Sequence, residues 1–262
     1  MFRGLPGSIK MRYESNNLAS LIHTATQALP NLQGRIGHAK RDQLSCGSAE
    51  NTVRIAALCT YWEQAQPGAG HHYWNSHSWS LLIWQPIYLS ILAVQLARSA
   101  PCLAKMGQSV SEGVVGGFCL PEHCPRKGAA KDLIRYASDE LLLLIEQQLG
   151  EFNSVSAIHP KQGRLLAADC TRAALLMAQR HQSLANDQLY ELEGQWMEAL
   201  EFSAGSSLIP VRLDDGRERL ALERKVCCQY FRRTEGEYCN TCPKLKKEER
   251  LCRLREAFSL EC

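Results

Sequence analysis

The sequence predicts a mainly α fold of the α+β kind: a helical body, a small antiparallel β-sheet and a cysteine-rich C-terminal module. Three observations predict it. Apolar residues recur at spacings of three and four along most of the 262 residues, the period of an amphipathic helix. Two short stretches instead carry hairpin turns, and six of the twelve cysteines crowd into the last 36 residues. Hydrophobic residues make up 45% and charged residues 22%, ordinary values for a chain long enough to bury a sizeable core. A net charge of only +3 excludes a disordered polyelectrolyte and a dedicated nucleic-acid binder of the highly basic kind.

The helical stripes follow in order. Leu18, Leu21, Ile22, Ala25 and Leu29 form the first, ended by Pro30. Val53, Ala56, Ala57 and Thr60 begin a second, stopped at Pro67-Gly68. Ile134, Ala137, Leu141, Leu144 and Ile145 mark a strong helix expected to end at Gly150. Leu165, Ala168, Thr171, Leu175 and Ala178 mark the next. Leu189, Leu192, Trp196 and Leu200 close the series, with Gly205 as the expected C-terminal cap.

Two hairpins are expected. Ser109–Ser111 and Val114–Leu120 flank Glu112-Gly113, and Leu208–Leu213 and Arg217–Arg224 flank Asp214-Asp215-Gly216. Trp79–Ala97 holds nineteen residues without a charge, close to the ~20 that a membrane span needs. Ser80, Gln85, Ser90 and Gln95 interrupt it regularly, and Pro86 removes a backbone donor midway. It reads as a buried helix, kinked or restarted at Pro86, and not as a span. Met1 to Gly7 contains no apolar run and no small-residue cleavage site, so no export signal is expected. The protein is accordingly read as cytoplasmic, and its cysteines as reduced thiols, metal ligands or core residues.

Charge places the expected domain boundary. Arg224–Arg255 carries ten Lys/Arg against four Asp/Glu, a net of +6, whereas the remainder has 20 against 23, a net of −3. A body of residues 1–206 and a module of residues 207–262 are therefore expected.

Within that module, Cys227 and Cys228 are adjacent, ten residues follow, and Cys239-Asn240-Thr241-Cys242-Pro243 completes the pattern. A C-x2-C turn before proline exposes amides that can hydrogen-bond to thiolate sulfur. Four thiolates suit zinc or an iron–sulfur cluster. Structural zinc sites normally use two spaced knuckles, which neighbouring cysteines cannot build around one ion. The larger [2Fe–2S] rhombus tolerates unusual spacing and is favoured.

On these residues the sequence resembles the FhuF-like siderophore-iron reductases, whose hallmark is a C-terminal C-C-x10-C-x2-C motif binding a [2Fe–2S] cluster. Cys227, Cys228, Cys239 and Cys242 reproduce the spacing, and Tyr230 and Arg232 fall among similar residues. The remaining resemblance is looser and spreads over the helical body, the apolar stretch and the late hairpin. It implies a cytoplasmic carrier that passes one electron to ferric iron in an imported siderophore, with the hydroxamate type favoured. Hard ferric ion is held tightly by hydroxamate or catecholate oxygens, and ferrous ion far more weakly, so one electron unlocks the complex. No G-x-S-x-G elbow supports hydrolysis of the siderophore, and no G-x-G-x-x-G or P-loop supports a nucleotide site. Electrons are then expected from a partner such as a ferredoxin or a flavoprotein reductase, an acidic donor suiting the basic module. No nucleic acid is expected as a partner, and peripheral proximity to the inner membrane requires no span.

The alternative from another class is a non-catalytic iron–sulfur or zinc-stabilised interaction module, in which metal only folds the C-terminus. A siderophore-synthetase relationship is a third, but those enzymes carry a nucleotide-binding domain this chain lacks. For substrate contacts the candidates are Arg232, Arg233, Trp74 and Trp79. The two tryptophans belong to His71–Trp79, which holds three histidines and reads as a polar loop entering the buried helix or as an aromatic substrate wall. Cys119 and Cys124, and likewise Cys46, Cys59, Cys102 and Cys170, read as structural; Cys252 and Cys262 read as spare thiols.

Overall fold

The computed structural model describes residues 7–202 and 205–260, with side chains from Asn17 on. The residues Met1–Pro6 and Cys262 discussed above lie outside that range. Seven α-helices and six short strands are present among the described residues: α1 (Gly7–Ala28), β1 (Gly34–Ile36), β2 (Leu44–Ser45), α2 (Asn51–Ala65), α3 (His71–Ala97), β3 (Gly107–Ser111), β4 (Val114–Leu120), α4 (Ala130–Asn153), α5 (Pro160–Gln182), α6 (Asn186–Ala199), β5 (Ser207–Arg212), β6 (Glu218–Glu223) and α7 (Lys247–Leu260).

Helix α3 is the axis of the molecule, with α1, α2, α4, α5 and β4 packed around it. It is long and apolar enough to cross a membrane, yet 67% of its most apolar stretch is buried inside the protein's own core. His71–Trp79, expected as a loop, forms its first turns, and the helix runs unbroken through Pro86. That proline leaves the Leu82 carbonyl without its helical donor. Gln108 of β3 fills the gap: its Nε2 donates to the Leu82 carbonyl at 3.1 Å. The Trp84 indole in turn donates to the Val115 carbonyl of β4 at 2.9 Å. A buried polar group costs free energy unless paired, so these bonds fix where the sheet sits against the helix.

The first sheet has the order β1-β4-β3-β2. Strands β3 and β4 pair antiparallel through the expected Glu112-Gly113 turn, whose φ values of 48° and 75° are those of a tight hairpin turn. Position 113 needs glycine twice over, for its φ and because a Cβ there would meet the Tyr61 ring at 2.1 Å. Short β1, not read from the sequence, adds in parallel, Gly34 opposite Phe118, so the sheet is mixed and only three of its strands are antiparallel.

Other expectations shift in detail. Helix α2 buries Asn51, Ile55 and Leu58, while Val53 is 70% exposed, so the stripe predicted there is the outer face. Helix α4 continues three residues beyond Gly150. Helix α6 is closed by Glu201 at φ 52°, with Phe202 N–H donating to the Met197 carbonyl at 3.0 Å; Gly205 is not its cap.

The second hairpin, β5–β6, pairs Leu208 with Leu222 and Val211 with Arg219. It is covered on two sides. Leu208 and Leu220 join the main core, and Val211, Leu213 and Ala221 meet Leu254 and Phe258 of α7 in a smaller one.

Trp79 is fully buried, its indole donating to the Gly163 carbonyl of α5 at 2.9 Å. It therefore supports the core and presents no face to a substrate. Replacing it with alanine should destabilise the protein by about 3–5 kcal/mol in chemical denaturation, and a variant within 1 kcal/mol of the parent would contradict this packing.

Candidate metal centre

The last strand delivers the chain to the site. Beyond β6, Arg224 turns back onto the helical body, and its Nε donates to Asp169 of α5 at 2.8 Å. The Lys225 amide donates to the Ser206 hydroxyl at 2.9 Å. Gln229 then takes a left-handed conformation, φ 61°, which aims its amide at the Cys227 sulfur at 3.4 Å. A short 3-10 turn, Tyr230–Arg232, reverses the chain. Thr234 N–H donates to the Gln66 side chain at 3.0 Å, anchoring the far side of the loop ahead of α3. In the second turn Cys242 N–H donates to the Cys239 carbonyl at 2.9 Å, and Leu245 N–H to the Cys242 carbonyl at 3.2 Å. Cys242 is buried, while Cys227, Cys228 and Cys239 are partly exposed.

The four thiols meet in two pairs. The Cys239 thiol donates to Cys228 and holds Cys228 well below the ordinary thiol range, helped by the Arg224 charge and the Tyr230 amide. The same bond pushes Cys239 far up. Burial pushes Cys227 up against the pull of the Gln229 amide, and Cys227 in turn makes a hydrogen bond with Cys242. Among the described residues no three His, Cys, Asp or Glu side chains gather as a single-ion site.

Residues 224–244 match the family model of the FhuF 2Fe-2S C-terminal domain. The match spans the ion-paired Arg224, both cysteine pairs and the turn between them. The geometry and the match concern the same residues: the four thiols could hold a [2Fe–2S] cluster of the FhuF type, with the Gln229 and Tyr230 amides placed to donate to sulfur.

The electrostatics around the loop are unusual for a surface. Burial disfavours the Arg224 cation, but Asp169, Cys228 and Cys239 more than offset this and hold it charged. Burial pushes Asp169 upward, and Arg224 opposes that shift. Beneath the loop, Tyr73 is fully buried and its hydroxyl has no partner, although Arg233, Tyr230 and Cys228 all lie within electrostatic reach. His77 stacks on Tyr73, with ring centroids 5.1 Å apart, and burial lowers its pKa to about 4.

Beside the cysteines lies a groove of about 660 Å³, lined from α3, α5, β6, the cysteine loop and α7, with Cys228, Arg224 and Tyr230 at its wall. Trp74, Arg232 and Arg233, expected as substrate contacts, do not line it. The Trp74 indole donates to the Gln66 carbonyl at 2.9 Å, Arg232 bonds to Gln229, and Arg233 lies over the Tyr230 ring. Trp84, Asp169 and the groove itself were missed. The available signal was Asp169, a lone carboxylate next to Ala168 in an otherwise apolar helical stripe.

Two outcomes follow from this environment. Exchanging Arg224 for glutamine removes a half-buried cation within electrostatic reach of Cys228 and Cys239, so the midpoint potential of the metal-loaded protein should fall in an EPR-monitored titration; an unchanged potential would argue against the contact. His77 has a folded-state pKa below its unfolded value, so the unfolded chain binds the extra proton first as pH drops. Stability should therefore decline from pH 6.5 toward pH 4, by on the order of 3 kcal/mol from this residue, and His77→Phe should flatten that part of the pH profile of chemical denaturation.

Proposed function

We propose that the protein is a cytoplasmic ferric-siderophore reductase in which Cys227, Cys228, Cys239 and Cys242 ligate a [2Fe–2S] cluster. The observation that carries the reading is the convergence of these four thiols, two by two, inside the residues that match the FhuF 2Fe-2S domain. Bound there, the cluster supplies one electron at a time. In this reading residues 1–206 form the body and residues 207–262 the electron-carrying module.

The chain's own residues contribute position and charge. Arg224, held by Asp169, keeps a cation against Cys228 and Cys239 and so favours added negative charge on their side of the loop. The Gln229 amide steadies the sulfur of Cys227. Partial exposure of Cys228 at the groove leaves a short route to an acceptor seated outside. The acceptor is a ferric siderophore, with the hydroxamate type favoured; gaining one electron turns its Fe(III) into Fe(II), which the hard oxygen ligands release. The electron comes from a one-electron partner such as a ferredoxin or flavoprotein reductase. Arg232, Arg233 and Lys244, which lie over the Phe231 and Tyr230 rings on the loop, offer an acidic donor a basic surface.

Anaerobic stopped-flow mixing of chemically reduced protein with ferric siderophore, in the presence of a ferrous chelator, tests the reading. One Fe(II) per cluster should be trapped as the cluster reoxidises, whereas NADH or NADPH alone should leave the oxidised protein unchanged. A cluster that stays reduced with every ferric siderophore offered would leave a non-catalytic iron–sulfur module. Alanine at Cys227, Cys228, Cys239 or Cys242 should abolish the visible absorption of the purified protein, and alanine at Cys252, exposed on α7, should not. A colourless preparation with stoichiometric zinc would overturn the cofactor assignment.

A further inference from the structure

We propose that the Tyr73 hydroxyl donates a hydrogen bond to sulfur of the bound cluster and thereby raises the potential at which the cluster takes its electron; this rests on the cluster assignment above and not on the identity of the acceptor.

Tyr73 lies in the first turn of α3 and is fully buried, yet its hydroxyl has no partner among the described residues. A buried donor left unpaired bears its whole desolvation penalty, so a tyrosine held this way calls for an acceptor. Buried Ser78, Ser90 and Ser138 also lack partners, but a serine on a helix can turn to the carbonyl one turn back. The phenol cannot. Its ring is fixed from two sides. His77 stacks on it with centroids 5.1 Å and planes 13° apart, and Trp62 meets it edge to face at 6.2 Å.

The surroundings of the hydroxyl belong to the cysteine loop. The charged groups that act on Tyr73 are Arg233, Tyr230 and Cys228, all on that loop, and the 3-10 turn Tyr230–Arg232 packs against α3. Gln66 ties the two together: its carbonyl accepts from the Trp74 indole and its side chain from Thr234 N–H. Tyr73 does not line the groove beside Cys228, so a molecule in that groove is not its acceptor. A second donor stands nearby. Arg233 Nε is buried and unpaired, on a guanidinium whose charge acts on both Tyr73 and His77.

Two unpaired donors at one loop fit the anionic sulfur of a cluster, whose sulfides are acceptors beyond those the thiols provide. Burial is the main influence on the phenol and pushes its pKa up to about 12, so at neutral pH the proton stays on the oxygen. A [2Fe–2S] cluster on four thiolates is anionic and becomes more so on reduction. A hydrogen bond to its sulfur therefore strengthens as the electron arrives.

Tyr73→Phe removes the hydroxyl and keeps the ring, whereas 3-fluorotyrosine in place of Tyr73 keeps the hydroxyl and makes it a stronger donor. In the cluster-loaded, full-length protein, an EPR-monitored titration should show a lower midpoint potential for the first and a higher one for the second. Electron–nuclear double resonance of the reduced protein in D2O should show a strongly coupled deuteron in the parent that Tyr73→Phe lacks. Visible absorption should be the same in all three, and Tyr190→Phe, on the exposed side of α6, should change none of these readings. Shifts of the same sign in both variants would make Tyr73 a packing residue and overturn the proposal. An unchanged potential with the deuteron signal intact would overturn it too, and would place the hydroxyl on a buried water. A parent that carries zinc or no metal would instead sink the cofactor assignment itself; a cluster-bearing parent matched in every reading by Tyr73→Phe leaves that assignment standing and removes only Tyr73.

Discussion

Helix α3 is buried on nearly every side, and that single constraint organises the chain. Seventeen of its 27 residues are buried, among them the polar Asn75, Gln85, Ser90 and Gln95. An apolar helix exposed to water would drive association, so neighbours must cover it, and each polar group they cover needs a partner. Where partners are found they come from distant segments, while the Ser90 hydroxyl and the Gln85 Oε1 are buried without one. Asn75 donates to the Ala157 carbonyl at 2.7 Å and accepts from Ser156, while Gln182 of α5 reaches the Gln95 carbonyl. Gln108 answers the carbonyl freed by Pro86. Packing alone would let α5 or the sheet slide along α3; these bonds give each a register.

That register carries through to the cysteines. Helix α5, placed against α3, presents Asp169, and Asp169 receives Arg224 three residues before the first thiol. The hairpin β5–β6 lies between the two cores, so its position is set from both faces, and Arg250 of α7 closes it through Glu223. A buried ion pair is weak evidence for stability, because desolvation cancels much of the Coulomb gain. Its contribution here is geometric: breaking either partner strands a charge, so the loop has one favourable seating.

Most of the helices were legible because their buried faces are runs of aliphatic residues at helical spacing, as in Ile134, Ala137, Leu141 and Ile145. The two hairpins were legible from their turns. The face of α2 was misread because alanine and valine can occupy an exposed surface, whereas the residue that decides the phase, Ile55, had no aliphatic neighbour at the previous turn: that place is held by Asn51, which is buried through bonds to Ser45 and Glu151. Strand β1 is three residues long and pairs in parallel with a strand 84 positions later, a contact no local pattern encodes. The cysteine motif was readable in one dimension. The groove was not, because it is assembled from α3, α5, β6, the cysteine loop and α7, segments far apart in sequence, and periodicity cannot tell a covered stripe from an open one.

The open stripe and the basic loop both adjoin the thiols, but Arg232, Arg233 and Lys244 do not line the groove, and the chemistry of the two surfaces differs accordingly. Arg232 and Lys244 are exposed, so their field extends into solvent and weakens with added salt, whereas Arg233 is half-buried over the Tyr230 ring. The groove side is dominated by apolar contact, and of its two arginines the half-buried Arg224 is already paired with Asp169. Encounter with a charged donor at the exposed basic residues is then, on the proposed reading, governed by long-range electrostatics, and occupancy of the groove by short-range desolvation. On the proposed reading the two halves of an electron's passage are sensitive to different solution conditions. A salt series would slow reduction of the protein by an acidic donor while leaving its reoxidation by a chelate of low charge nearly constant, since desolvation of apolar surface is little affected by modest ionic strength. Equal salt sensitivity of both steps would mean that they share one surface.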